Sequence, residues 1–230
     1  MNKRLNCIAS HVPMGKGLID VGTDHGYLPV SLARQGYPGT LIASDIHAGP
    51  LQAARRSAEA AGLEDRIEFV LADGLEGCDP EAIDTIVIAG MGGDTICGIL
   101  DRAEWCMDRR YILVLQPMTR AEVLRYWLIN NEFEISVEDL AEDGGTLYSV
   151  FSARFGGCTR LKDAELFTGS FEALKEHRLF PAFLKQQIRR IEKMKSGLRL
   201  STEGDSSGRL AIWDGILSQM EEMEQRAGIK

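Results

Sequence analysis

The sequence predicts an α/β fold built on a doubly wound sheet, followed by a helical C-terminal segment. Strand-like and helix-like segments alternate over the first 130 residues, which is typical of a mostly parallel sheet covered by helices. Two strands around a turn follow, and charged helices occupy the rest of the chain. We expect one sheet-containing domain at residues 1–156 and a helical appendage at 157–230.

Five parallel strands are predicted first. Each is a short apolar, β-branched run that ends at a glycine, a proline or an acidic residue. They span residues 17–22, 40–45, 67–71, 84–89 and 111–115. The run at 84–89 is apolar on both faces, as expected for a parallel strand buried inside a sheet.

Helices are predicted where apolar residues recur at helical spacing and glycine or proline ends the run. They span residues 3–12, 27–35, 50–61, 94–104 and 119–130. Two more strands, 133–138 and 146–155, flank the turn Glu142–Gly145 and predict an antiparallel hairpin. The hairpin brings the expected sheet to seven strands.

The C-terminal segment predicts two amphipathic helices, near 179–198 and 212–223, around a polar turn at 201–208. This arrangement indicates an antiparallel helical hairpin. Residues 154–200 contain 11 Lys and Arg against 5 Asp and Glu, a net charge of +6 in a chain of net charge -8. Such a block is a candidate phosphate-binding face, or simply a solvated helix surface.

Composition excludes several classes of protein. No apolar run approaches 18 residues, so we expect no membrane span, and the first residues lack a secretory signal. The five cysteines are odd in number and form no CxxC pair, which argues against a disulfide framework or a zinc site. These observations predict a cytoplasmic protein without a metal.

The first glycine-containing turn carries carboxylates rather than basic residues. Its motif reads Asp20-x-Gly22-x-Asp24-x-Gly26. Glycine lets the backbone approach a ligand, and the following helix offers free amides. Asp24 would repel a pyrophosphate but not a cationic sulfonium or an ammonium group. The turn favours S-adenosylmethionine over a dinucleotide, the alternative being a tight turn with solvated aspartates.

Further signatures follow strands that end at the same sheet edge. Asp45 can accept both ribose hydroxyls or cap the next helix. Asp73, within Ala72-Asp73-Gly74, can accept the adenine amine while the Ala72 amide bonds a ring nitrogen, or it is an ordinary loop aspartate. The segment 89–93 leaves the backbone exposed where a substrate would meet the methyl group, unless it is only a flexible loop.

Three polar side chains are candidates for the reaction centre. His25 and Tyr27 directly follow the first turn, and Gln116 follows the fifth strand. The alternative for His25 is a structural role as a hydrogen-bonded residue. The alternative for Gln116 is to cap the end of the strand. The sequence shows no Ser-His-Asp arrangement, metal-ligand cluster or Lys-bearing phosphate loop.

Four short strings stand in a distinctive order along the sheet-containing part of the chain. They are DVGTDHGYLP at Asp20–Pro29, ADGL at Ala72–Leu75, IAGMGG at Ile88–Gly93 and LQP at Leu115–Pro117, preceded by Lys3-Arg4-Leu5. Together they resemble the bacterial tRNA adenine-N1 methyltransferases that modify position 22. The resemblance covers roughly residues 3–155, and the helical appendage is similar in pattern alone.

The resemblance implies a class I methyltransferase (Rossmann-like) seven-stranded sheet with a C-terminal antiparallel helical hairpin. It also implies S-adenosyl-L-methionine as donor and adenine N1 in the D-arm of tRNA as acceptor. The residues that would line the cofactor are Asp20, Gly22, Thr23, Asp24, His25, Gly26, Asp45, Ile46, Ala72, Asp73, Gly74, Ala89, Gly90 and Met91. Tyr27, with His25 and Gln116, would stand near the target base.

In this interpretation the basic block holds the tRNA backbone. The expected tRNA contacts are Arg4, Lys185, Arg189, Arg190, Lys193 and Lys195. One position departs from the family pattern, because Met118 stands where the family usually has Asn after Gln-Pro. The departure puts target choice or rate in question.

Two other functions compete with this hypothesis. An NAD-dependent oxidoreductase would share the sheet and Asp45, although the acidic Asp24 turn and the closing hairpin speak against it. A non-catalytic tRNA-binding protein that retains the donor pocket is the other, and Met118 lends it support. The sequence leaves the oligomeric state open, with a monomer favoured.

Overall fold

A computed structural model describes residues 1–200 and 206–229 of the chain. The chain divides into two compact units, Met1–Thr159 and Arg160–Lys230. The boundary lies close to the predicted division after residue 156. Among the described helices, none combines the length and apolar character that crossing a bilayer requires.

The first unit is built on one seven-stranded sheet. Its strands are β1 (Gly17–Val21), β2 (Thr40–Asp45), β3 (Ile67–Leu71), β4 (Thr85–Gly92), β5 (Ile112–Thr119), β6 (Phe133–Asp143) and β7 (Thr146–Phe155). Their spatial order is β3-β2-β1-β4-β5-β7-β6. The first five strands run parallel, and β7 is antiparallel to both β5 and β6. The predicted doubly wound sheet with a closing hairpin is confirmed.

Helices cover this sheet and form the second unit. They are α1 (Lys3–Ser10), α2 (Tyr27–Arg34), α3 (Ala48–Glu59), α4 (Gly93–Asp101), α5 (Ala121–Asn130), α6 (Asp163–Thr168), α7 (Phe171–Leu174), α8 (Phe180–Leu200) and α9 (Ser206–Arg226). Within the first unit, apolar side chains form a separate core on each side of the sheet. Ile8 of α1 packs with Leu18, Val87 and Val114, which fixes α1 against the middle strands.

The predicted ends of two central strands were wrong. β4 continues to Gly92 and β5 to Thr119, beyond the expected ends at 89 and 115. A register shift between Ala89 and Met91 leaves Gly90 as a bulge, with a φ of 82° that glycine adopts without strain. Pairing then resumes between Met91 and Pro117.

The second unit is helical, as expected. Helices α8 and α9 pack against each other, and the Lys195 ammonium of α8 bonds the Asp214 carboxylate of α9. The predicted turn at 201–208 lies partly outside the described residues. Where it is described, the prediction was wrong, because α9 already begins at Ser206.

Candidate active site

A cavity of about 460 Å³ opens where the parallel strands end. The strand order reverses between β1 and β4, and ligands of open α/β sheets bind at such a switch point. Nine predicted cofactor residues line it: Gly22, Asp45, Ile46, Ala72, Asp73, Gly74, Ala89, Gly90 and Met91. The volume lies in the range of small-molecule sites. The sequence signatures therefore converge on one cavity.

Of the predicted cofactor residues in and around the turn after β1, Gly22 lines the cavity. Of the predicted residues, Asp20, Thr23, Asp24, His25 and Gly26 are not part of the cavity wall. The Asp24 side chain is 70% exposed, with its carboxylate 3.8 Å from His25 Nε2. Of these two carboxylates, only that of Asp45 lies in the cavity wall, and the Asp24 backbone N–H donates to Asp45 Oδ2 at 3.3 Å.

Asp20 is buried beneath this turn. Its carboxylate accepts a hydrogen bond from the Thr23 hydroxyl at 2.7 Å, and the Thr23 N–H donates to Ser44 O of β2. Burial raises the pKa of Asp20 to about 7, the Thr23 bond lowers it, and the charges of Asp45 and Arg4 act in opposite directions. The Asp20 carboxylate therefore holds the shape of the turn through its bond from Thr23.

Gly26 explains why the turn can lead straight into α2. Its φ is 67°, and an added Cβ would lie 2.9 Å from the Ala54 Cβ of α3. Only glycine fits both the backbone conformation and this close approach.

Asp45, at the end of β2, is the best placed acceptor of the cavity. It is 8% exposed, and its two oxygens accept from the backbone N–H groups of His47 (2.9 Å) and Asp24 (3.3 Å). A carboxylate has about four acceptor positions, so two remain for ligand hydroxyls. The geometry suits a ribose with its two neighbouring hydroxyl groups.

Asp73 forms an ion pair with a residue that sequence reasoning missed. Arg102, which follows α4, donates from Nη2 to Asp73 Oδ1 at 2.9 Å, and its Nε lies 3.7 Å from Glu76 Oε1. With Arg102, the cavity residues that sequence reasoning missed number five: Val21, Thr95, Gly98, Ile99 and Arg102. Four of the five lie on or just after α4, whose sequence carries no signature of its own.

Comparison with known proteins identifies the family. A family model described as a methyltransferase domain matches residues 1–151. A tRNA (adenine(22)-N(1))-methyltransferase from Bacillus subtilis strain 168 is 31% identical over 199 residues, covering 84% of each chain. This chain belongs to the tRNA (adenine(22)-N(1))-methyltransferase family.

Solved structures support the same membership. The crystal structure of a putative tRNA (m1A22) methyltransferase from Streptococcus pneumoniae is 30% identical, with a TM-score of 0.83 over 97% of this chain and 99% of that one. The same Streptococcus protein was solved in complex with S-adenosyl-L-methionine, at 30% identity and a TM-score of 0.82. The predicted class I methyltransferase fold and family are confirmed. Membership of this family contradicts the alternative of an NAD-dependent oxidoreductase.

Gln116 of this methyltransferase is fully buried, and its amide is already engaged. Its Oε1 accepts from Arg4 Nη1 at 2.5 Å, and its Nε2 donates to Pro117 O at 2.9 Å. The structure therefore does not place the Gln116 amide where it would contact a base. Gln116 instead holds Arg4, whose guanidinium lies 5.9 Å from the Tyr148 ring and beside Gly90.

His25 and Tyr27 form a stacked pair where α2 begins. Their ring centroids are 5.3 Å apart with planes inclined by 15°, and Tyr27 is 53% exposed. An exposed aromatic ring with a stacking partner on one face presents its remaining surface to a base. Of the three predicted reaction-centre residues of the methyltransferase, Tyr27 has the most suitable geometry.

The predicted tRNA contacts in the second unit differ in their surroundings. Arg189 and Lys193 are exposed and four residues apart, so they share one face of α8 with the half-buried Lys185. The Lys195 charge is paired with Asp214, and the Arg190 guanidinium lies 5.8 Å from the Phe167 ring. We call Lys185, Arg189 and Lys193 the α8 basic stripe.

Proposed function

We propose that this protein transfers a methyl group from S-adenosylmethionine to N1 of adenine 22 in the D-arm of tRNA. The observation that carries the proposal is the Asp45-containing cavity at the switch point of a chain that belongs to this methyltransferase family. Because the substrate is tRNA, we place the enzyme in the cytoplasm.

The cavity fits the proposed donor in size and in the chemistry of its walls. Asp45 would hold the ribose hydroxyls, and the backbone around Ala72 and Asp73 would hold the adenine ring. Met91 and the bulged Gly90 would line the path to the substrate. S-adenosylmethionine supplies a methyl group on a positively charged sulfur.

The chain's own residues need chiefly to bind and orient the acceptor. Adenine N1 has a lone pair, so the reaction requires no general base from the protein. Positioning of two reactants can supply ~7–11 kcal/mol of a barrier. N1 lies on the pairing edge of the base, so the nucleotide must be exposed, at a cost of a few kcal/mol. Tyr27 would stack on the exposed base.

The direct test uses purified protein, unmodified tRNA and labelled S-adenosylmethionine. We expect N1-methyladenine at position 22, and no incorporation into a transcript that carries G at that position. Absence of methylated product from a folded protein overturns the proposal. Binding of donor and tRNA without turnover would establish the non-catalytic alternative instead.

Arg4 is proposed to contact the substrate nucleotide while Gln116 positions it. Arg4→Gln is expected to lower kcat/KM for tRNA by about tenfold or more, because bonds to a charged donor contribute ~1.5–3 kcal/mol. The donor Kd should not change. The control is Lys3→Gln, an exposed neighbour on α1. Equal effects of the two variants would contradict the role of Arg4.

A double-mutant cycle tests whether Gln116 acts through Arg4. Gln116→Met removes the oxygen that accepts from Arg4 and keeps a similar volume. If Gln116 acts through Arg4, the loss in kcat/KM for the double variant should resemble that of Arg4→Gln alone. Additive losses would show that the two residues act independently.

The α8 basic stripe is proposed to hold the tRNA backbone. Lys193→Gln should weaken tRNA binding and reduce the slope of log K against log salt concentration by roughly one. Lys195→Gln is the matched control, since it lies on the same helix but its charge is already paired with Asp214. Identical salt slopes for the two variants would contradict the assignment.

A further inference from the structure

Three side chains of typical metal-ligand type converge on the side of the sheet that α1 covers. Cys7 lies on α1, His11 directly follows the last residue of that helix, and Asp139 lies in β6. Asp139 Oδ2 is 3.4 Å from Cys7 Sγ and 3.4 Å from His11 Nε2. All three ligand atoms lie within 4.8 Å of one another. None of them belongs to the methyltransferase cavity.

The spacing of these atoms fits a tetrahedral ion. Zinc bonds of ~2.0–2.3 Å at tetrahedral angles place ligand atoms roughly 3.3–3.6 Å apart. The two distances to Asp139 therefore need little adjustment. The His11 side chain is 6% exposed, so its ring is held in place by the surrounding protein.

The second nitrogen of His11 also has the partner that a metal-binding histidine needs. His11 Nδ1 lies 3.3 Å from the Ser152 hydroxyl of β7, which can accept its proton. Histidines that bind metals through one nitrogen usually donate from the other, and this fixes the tautomer and the ring orientation. A hydrogen bond between Cys7 and Asp139 alone would not require His11 to contact Asp139 with one ring nitrogen and Ser152 with the other.

We propose that Cys7, His11 and Asp139 bind a zinc ion, with water as the fourth ligand. A thiolate and an imidazole favour zinc over magnesium or calcium, which prefer oxygen ligands. Binding would displace the thiol proton of Cys7 to solvent and place the ion between the three atoms. The cysteine spacing argued against zinc because the chain has no CxxC pair, whereas this ligand set uses a single cysteine.

Such an ion would join α1 to the hairpin strand β6. Helix α1 also carries Arg4, about one turn before Cys7. The ion would therefore order the helix that presents Arg4 beside Gly90. This role is structural, and zinc binding is measurable whether or not the protein methylates tRNA.

The test uses the full-length chain, freed of metal by a chelator and titrated with Co²⁺ as a spectroscopic substitute for zinc. We expect one equivalent to produce thiolate-to-cobalt charge-transfer absorption, which zinc then abolishes by displacing the cobalt. Cys7→Ser should lose the absorption, and Cys158→Ser should keep it because Cys158 is an exposed cysteine of the same unit. No charge-transfer band in the wild type, or a band that survives Cys7→Ser, overturns the proposal.

A second measurement covers the case in which the Cys7 variant fails to fold. Ser152→Ala leaves all three ligands in place and removes the partner of His11. It should weaken metal affinity about tenfold or more while circular dichroism remains unchanged. Zinc should also raise the melting temperature of the wild type by a few degrees. Unchanged affinity in Ser152→Ala, or a melting temperature that zinc does not move, contradicts the site.

Discussion

Asp45→Asn is expected to bind S-adenosylmethionine about ten- to a hundredfold more weakly than the wild type. Each hydrogen bond to a charged acceptor contributes ~1.5–3 kcal/mol, and the ribose would lose at least one. The amide also places an N–H₂ where Asp45 now accepts from the backbone N–H of Asp24 or His47. One donor would then face another inside a buried site.

Calorimetric titration of the donor measures this loss directly, and circular dichroism reports whether the fold survives. Asp65→Asn is the matched control, because Asp65 is exposed and lies outside the cavity. A folded Asp45→Asn variant with the affinity of the control would show that Asp45 does not hold the ribose. The methyltransferase fold would stand in that case, but the proposed donor pose would not.

The sequence predicts the strands well because each is a short apolar run with a clear end. It fails at the end of β4 because the glycines after Ala89 look like a loop, and at the end of β5 because Gln116-Pro117 looks like the end of a strand. In the structure these strands continue by pairing with each other around the bulge at Gly90. Whether a glycine segment stays in a sheet depends on its neighbouring strand, which the local sequence does not contain.

The residues of the candidate site also fall into two groups, those that the sequence predicts and those that it does not. Asp45, Asp73 and Gly74 are predictable because each directly follows a strand whose end forms the cavity. Arg102 is not, because it reaches Asp73 from a position 29 residues away. The hydrogen bond between Arg4 and Gln116 joins residues 112 positions apart and engages the side-chain oxygen of Gln116. Contacts between such distant residues follow from the fold, not from a motif.

Tyr27→Ala is expected to lower kcat/KM for tRNA about ten- to a hundredfold while leaving the donor Kd unchanged. Stacking of a base on an aromatic ring contributes ~1–3 kcal/mol, and the Tyr27 ring is exposed and supported by His25. The loss should fall on the tRNA reaction alone, because Tyr27 is not part of the cavity wall.

Tyr126→Ala provides the matched control, since Tyr126 is a tyrosine on α5 with 61% exposure. If Tyr27→Ala behaves like Tyr126→Ala, the target base does not stack there. Tyr27→Phe separates the ring from its hydroxyl. Near wild-type activity in this variant indicates stacking, whereas a loss as large as that of Tyr27→Ala assigns the contact to the hydroxyl. Since N1 methylation needs no proton removed from the acceptor, we expect the ring to account for the effect.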